Sequence, residues 1–100
     1  MSKLDIAISY HLPPSEAQKR IQNLLTGLKN KYADNISDLQ EEWKGGICRF
    51  SFSAMGFSVS GEILVLSEEV RITGILPWTL TVLKSKIETM IREQAEKLLA

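Results

Sequence analysis

Between Ile47 and Leu76 apolar residues recur at every second position in three successive runs. A helix cannot bury such a pattern on one side, whereas a sheet with one covered face can. In the first run Cys48, Phe50, Phe52 and Ala54 share a face, and in the second Phe57, Val59, Gly61, Ile63 and Val65 do. A two-residue turn at Met55-Gly56 brings both sets to the same side. It sets Phe52 against Val59, Phe50 against Gly61 and Cys48 against Ile63, with an aromatic ring lying over a strand glycine. The third run adds Val70, Ile72, Gly74 and Leu76, through a two-residue turn at Glu68-Glu69 or a four-residue loop of the same parity. Lys44-Gly45-Gly46 offers a primed turn on the upstream side. It pairs Trp43 with Cys48 and brings in a strand through Leu39, Glu41 and Trp43. A one-residue slip would turn every apolar set outward.

The opposite face is mostly polar. Arg49 falls between Glu42 and Glu62, Ser51 faces Ser60 and Ser53 faces Ser58, a solvated surface with a cross-strand charge ladder. Ile47, Leu64, Leu66 and Ile75 break that polarity, and Ile47 falls beside Leu64. With Trp78, just beyond the last strand, they form a candidate apolar contact patch.

The flanking segments read as cover for the sheet. Leu4, Ile6, Ile8, Tyr10 and Leu12 alternate with polar or small residues as a strand, which Pro13-Pro14 ends. Ser15 and Gln18 have the spacing of a capping box, although the helix can equally begin a residue or two earlier on a proline. Ala17, Ile21, Leu24, Leu25, Leu28 and Tyr32 then make one helical stripe to about Tyr32. Lys19, Arg20, Lys29 and Lys31 lie mostly outside that stripe, and Gly27 in its interior leaves room for close approach of the sheet. Asp34, Asn35 and Asp38 mark a loop before the Leu39–Trp43 strand. After Pro77 a helix runs from Trp78 or Thr79 to Leu99 on Leu80, Leu83, Ile87, Met90, Ile91, Gln94 and Leu98. Glu88–Arg92 and Glu93–Lys97 are i,i+4 pairs on its outer side. The expectation is one α+β domain over residues 1–100, a two-layer β-α-β-β-β-β-α arrangement. Its sheet is mainly antiparallel and five-stranded, with two helices packed on one face. Which edge takes the first strand is open.

Composition narrows the function classes. Lys plus Arg and Asp plus Glu each number 12, so no global basic field draws nucleic acid or an anionic bilayer. The single cysteine forbids an internal disulfide and fits a reducing cytoplasm. No run approaches the ~20 apolar residues of a membrane-spanning helix, and the N-terminus lacks a signal-peptide core.

Catalytic chemistry has little to stand on. His11 is the sole histidine, and Cys48 falls on the core face where a thiol is inert packing. Glu41 falls on the apolar face beside Phe50, either as an acid with a raised pKa or as an edge-strand charge that reaches water. There is no phosphate-binding glycine pattern and no metal-ligand cluster. The expectation is no enzyme, no catalytic residues, no metal and no cofactor.

A series of short motifs resembles the polyhydroxyalkanoic acid system proteins, small bacterial proteins encoded with genes for polyhydroxyalkanoate storage. The motifs are His11-Leu12 closing the first strand, Glu16-Ala17 opening the helix and Lys31-Tyr32 closing it. They continue with Trp43-Lys44-Gly45, the run Met55-Gly56-Phe57-Ser58-Val59-Ser60-Gly61-Glu62-Ile63, Leu76-Pro77, Leu83-Lys84, Ile87-Glu88 and Lys97-Leu98-Leu99. The resemblance spans nearly the whole chain. Where the family often has Gly-Asp, this chain has Gly45-Gly46, which leaves the hairpin intact. The resemblance implies a cytoplasmic accessory role in storage-polymer metabolism at the granule surface, and it carries over no catalytic residue.

The leading expectation is therefore a non-enzymatic accessory protein contacting a polyhydroxyalkanoate granule, or the granule's proteins, through the apolar patch. The alternatives are binding of a small acyl-chain ligand in a cavity between sheet and C-terminal helix, and homodimerisation through the same patch. The first alternative turns on whether Phe50, Phe52, Val59, Ile72, Leu83 and Ile87 fill the interior.

Overall fold

The computed structural model describes residues 2–100. Its elements are β1 (Ser2–Ser9), α1 (Pro14–Ile21), α2 (Leu24–Lys31), β2 (Ile36–Lys44), β3 (Ile47–Ala54), β4 (Phe57–Val65) and β5 (Glu69–Leu76). A 3-10 segment (Trp78–Leu83) then leads into α3 (Lys84–Leu99). The five strands form one antiparallel sheet in the order β1-β5-β4-β3-β2, with the helices on one face: the expected two-layer α+β architecture. β1 joins the β5 edge, with Ile6 opposite Ile72 and Ile8 opposite Val70. The chain must therefore cross the whole inner face to reach β2 at the other edge, and α1 and α2 make that crossing.

The alternation fixes the register as expected. Trp43 pairs with Cys48, Cys48 with Ile63, Phe50 with Gly61 and Phe52 with Val59. A slip would expose Cys48, Val59, Ile63, Val70 and Ile72, all at most 1% exposed. Burying each aliphatic side chain of this kind contributes about 1.5–3 kcal/mol, which makes the register strongly specified. On the outer face Arg49 pairs in register with Glu42 and Glu62, and its Nε lies 3.5 Å from the Glu62 carboxylate.

Several local expectations change. The β4–β5 reversal falls at Ser67-Glu68, one residue earlier than a turn at Glu68-Glu69. Val65 pairs with Val70, and the Leu66 N–H donates to Glu69 O at 2.9 Å. Four residues thus separate the paired valines, and the parity is preserved. Tyr10 holds this loop in place: its N–H donates to Glu68 O and its hydroxyl to Leu66 O. β2 begins at Ile36, earlier than expected. Its register shifts between Ser37 and Gln40, where Asp38 takes φ 54°. That bulge lets Ile36, opposite Ala54, and Leu39 and Trp43 all contact the core.

The first helix is two helices. Asn23 adopts φ −95°, ψ 0°, and its N–H bonds Arg20 O in a tightened turn. Such a bridge-region backbone ends the regular α ladder, which resumes with Gly27 N–H to Asn23 O. No capping box forms at Ser15. The helix starts on Pro14 with Pro13 as N-cap, and Gln18 Nε2 donates instead to Gly45 O at 2.7 Å. Gly27 faces α3, not the sheet: a Cβ there would stand 2.9 Å from Gln94 Nε2. Among the described residues neither Glu88–Arg92 nor Glu93–Lys97 forms an ion pair. Arg92 instead donates to Ala7 O on the edge strand β1 at 3.1 Å, occupying a carbonyl that would otherwise invite another strand.

Candidate functional site

The sheet has two ends of different character. One carries the Met55-Gly56 turn. β5 leaves the sheet at this end, since Ile75 lies opposite Ser60 near the start of β4. The exposed apolar residues Met55, Phe57, Trp78 and Val82 belong to segments meeting here, with Trp78 76% and Val82 89% exposed. The turn has positive φ at both central residues, Met55 at 51° and Gly56 at 84°. That is the geometry of a primed hairpin turn, which favours Asn, Asp or Gly at both positions. A methionine there is a local departure from good turn chemistry.

The same end opens into a cleft. α3 packs over β1 and α2 over β2, and the two helices meet where Gly27 faces Gln94; toward the Met55-Gly56 turn a cleft opens between them over the sheet. Leu28 and Tyr32 of α2 form one wall, and Leu83, Ile87, Met90 and Ile91 the other. Phe52, Ala54 and Val59 form the floor, and Asn35, Ile36, Met55 and Lys86 complete the mouth. The cavity volume is about 330 Å³. Of the residues expected to decide whether the interior is solid, Phe50, Val59 and Ile72 are buried. Phe52, Leu83 and Ile87 are only half-buried and line the cleft. The lining is apolar and its polar groups sit at the mouth. Among the described residues, the Tyr32 hydroxyl, the Asn35 side-chain amide and the Lys86 ammonium have no hydrogen-bond partner within the protein.

The five patch residues expected from the sequence fall into two groups. Ile47 and Leu64 are direct cross-strand partners, with Leu66 following in the loop, at the end opposite the cleft. Lys44 pairs with Ile47 and Arg71 with Leu64, so charged residues flank this group. Ile75 lies beside Ser60, four residues along β4 from Leu64, or about 13 Å at strand rise. Ile75 thus shares the turn end with Trp78. Sequence reasoning passed over Met55, Phe57, Val82 and Lys86 as site residues. The signal available for Met55 was its type, a bulky apolar residue where a primed turn wants Asn or Gly. For Val82 it was a position off the inward stripe of Leu80 and Leu83.

Other groups are less suited to chemistry. Cys48 is fully buried, and burial, reinforced by the Glu41 charge, pushes its thiol up to about 11. Glu41 is exposed on the edge strand and accepts a hydrogen bond from Trp43 Nε1 at 3.0 Å, as the edge-charge reading has it. His11 follows β1 at one sheet edge and is exposed, with β5 and β4 between it and the strand of Cys48. The described residues contain no group of three His, Cys, Asp or Glu able to hold a metal ion. A wide hollow of about 730 Å³ lies over Gly61 and Gly74. Of its charges, Arg49 reaches Glu62, and Asp5 accepts two hydrogen bonds from Arg71 at 3.1 and 3.2 Å. Those bonds hold the Asp5 carboxyl below its ordinary range.

Among the described residues no helix is long and apolar enough to cross a membrane. The crystal structure of Ara h 8.0201 is similar in course over 98% of this chain and 97% of its own, at 12% identity and a TM-score of 0.39. No curated protein matches the chain. A family model described as "Putative polyhydroxyalkanoic acid system protein" matches residues 4–99, and the chain belongs to that family.

Proposed function

We propose that this protein is a non-enzymatic accessory protein of polyhydroxyalkanoate storage metabolism that binds apolar chains at the turn end of its sheet. Family membership supports the connection to polyhydroxyalkanoate. The observation that carries the binding mode is the convergence of exposed Met55, Phe57, Trp78 and Val82 with an apolar cleft at one end of the molecule. Large apolar groups left in water together mark contact surfaces, and a storage polyester presents an apolar surface to the cytoplasm. His11 lies beyond β1 at the far edge of the sheet from Cys48 and Glu41, and Cys48 is fully buried, which supports an accessory over a catalytic role.

Co-sedimentation with polyhydroxyalkanoate particles tests this reading. The variant Trp78→Ser/Val82→Ser should stay folded and lose particle binding. Ile47→Ser/Leu66→Ser, which alters the other apolar group, should keep it. Release by the second variant only would move the contact to the opposite end, and particle binding unaffected by either would remove the apolar-contact reading. Sedimentation of the same variants without polymer reads self-association through either group.

A second reading, binding of a free acyl-chain ligand, is favoured by the cleft itself. Its volume of about 330 Å³ falls at the small end of the ~300–1,000 Å³ typical of ligand sites.

A further inference from the structure

We infer that the cleft binds a monocarboxylic acid, its unbranched acyl chain between α2 and α3 and its carboxylate at the mouth against Lys86. This rests on the acyl-ligand reading above and adds the head group that the site selects.

The interior offers an alkyl chain only apolar partners: Leu28, Phe52, Val59, Ile87, Met90 and Ile91. Methionine and aliphatic side chains adapt to such a chain without a fixed polar anchor. Selectivity must then come from the mouth. There the three polar side chains are Lys86, Tyr32 and Asn35, which together present an ammonium, a hydroxyl and an amide. None of the three has a hydrogen-bond partner among the described residues. No carboxylate lines the cleft. The positions one helical turn to either side of Lys86 are Val82, Leu83, Thr89 and Met90, so its charge is not answered along its own helix. The nearest acids in sequence, Asp34 and Glu88, lie outside the lining. A second cation, Lys31, stands 5.6 Å from the centre of the Tyr32 ring and adds to the positive field at that wall. An apolar slot with a cationic, donor-rich mouth fits an amphiphile with an anionic head, and a carboxylate takes up the ammonium in a charge-assisted hydrogen bond.

The test compares decanoate with decan-1-ol, both below their aggregation thresholds, by calorimetric titration of the full chain. Thermal stability serves as a parallel readout, because a ligand of the native state raises it. Wild-type protein should bind both, decanoate more tightly. Lys86→Met keeps an apolar stem and should weaken decanoate roughly three- to fivefold, the scale of a partly exposed ion pair, while leaving decan-1-ol unchanged. Ala54→Trp fills the floor from a strand-end position and should abolish binding of both ligands while the unliganded variant still unfolds cooperatively. If decan-1-ol binds but Lys86→Met leaves decanoate unchanged, the carboxylate assignment is wrong and the apolar cleft reading stands. If neither ligand saturates the wild type, or if Ala54→Trp binds both as before, the cleft is not the site.

Discussion

Phe50 lies directly across the sheet from Gly61, and a Cβ placed on that glycine would meet Phe50 Cζ at 2.9 Å. The ring occupies the space a side chain would need, as the alternation of the two strands led one to expect. The ring is not the tightest neighbour, however. Thr73 O would stand at 2.1 Å and Gly74 Cα at 2.7 Å, both backbone atoms of β5. Gly61→Ala is therefore expected to cost about 2–3 kcal/mol, the upper part of the range for overpacking, because backbone must move. Adding Phe50→Leu should not restore the loss. Urea unfolding of the single and double variants measures it, and full rescue by the leucine would show that the ring alone sets the constraint.

Gly27 poses the opposite case. Its one close neighbour is the end of the Gln94 side chain, which can swing away. Gly27→Ala gains about 0.8–1 kcal/mol of helix propensity, offset by displacing Gln94. The single substitution should be near neutral. In a Gln94→Ala background the same change should stabilise by roughly the full propensity difference. A double-mutant cycle by chemical denaturation reads the difference.

Tyr10 ties β1 to the β4–β5 loop through its hydroxyl and its backbone N–H, and its ring is buried. Tyr10→Phe removes only the hydroxyl bond and leaves Leu66 O without that donor. The expected cost is about 1–2 kcal/mol. Amide exchange should quicken in the loop around Leu66–Glu69 before it does in the β3–β4 hairpin.

Alkaline pH should destabilise the protein through the same buried side. The Cys48 thiol is pushed from 9.0 to about 11 by burial and by Glu41, and burial with the Glu68 charge raises the Tyr10 phenol. Between pH 9 and 11 the unfolded chain releases the thiol proton while the native state holds it. The native state then binds more protons, and stability falls as pH rises. The contribution is fully present below pH 9 and is lost through pH 11. Tyr10 adds the same sign at higher pH. Cys48→Ala should flatten the fall between pH 9 and 11 in urea midpoints, leaving the Tyr10 part. An unchanged slope would mean that the thiol is not responsible.

The parts of the fold legible in the sequence are those set by parity. Trp43, Cys48 and Ile63 had to share a face, and so did Phe52 and Val59, because one misplaced residue would expose all of them. The place of β1 was not legible, since either edge of the sheet could have buried Leu4, Ile6 and Ile8. Nor was the break at Asn23: Ala17, Ile21, Leu24, Leu25 and Leu28 make one stripe whether or not the helix is interrupted, so the hydrophobic pattern is silent about it. The bulge at Asp38 was hidden because it rescues the burial of Ile36 by changing parity within a strand. The cleft depends on how far α2 and α3 diverge over the sheet, a tertiary angle that periodicity does not encode. The outward apolar residues could be named from the sequence. The distance between Ile75 and the Ile47–Leu64 pair came with the β4–β5 register, which sets Ile75 opposite Ser60.

Met55 links the stability of the hairpin to the proposed binding end. It sits at φ 51° in a turn where a side chain with a Cβ is disfavoured, and it lines the cleft while 52% exposed. A strained backbone position carrying an exposed apolar side chain points to selection for something other than stability. Met55→Asn supplies a residue that tolerates the left-handed conformation. It should raise stability by about 0.5–1 kcal/mol, within the range for correcting a strained turn. The same change removes an apolar group from the mouth and should weaken both polymer-particle binding and decan-1-ol binding. Met55→Gly separates the two effects, since it relieves the backbone without adding a polar side chain. If stability rises in both variants and binding falls in both, the methionine is held in the turn for contact. If binding is unchanged in the more stable proteins, the turn end does not make the contact proposed for it.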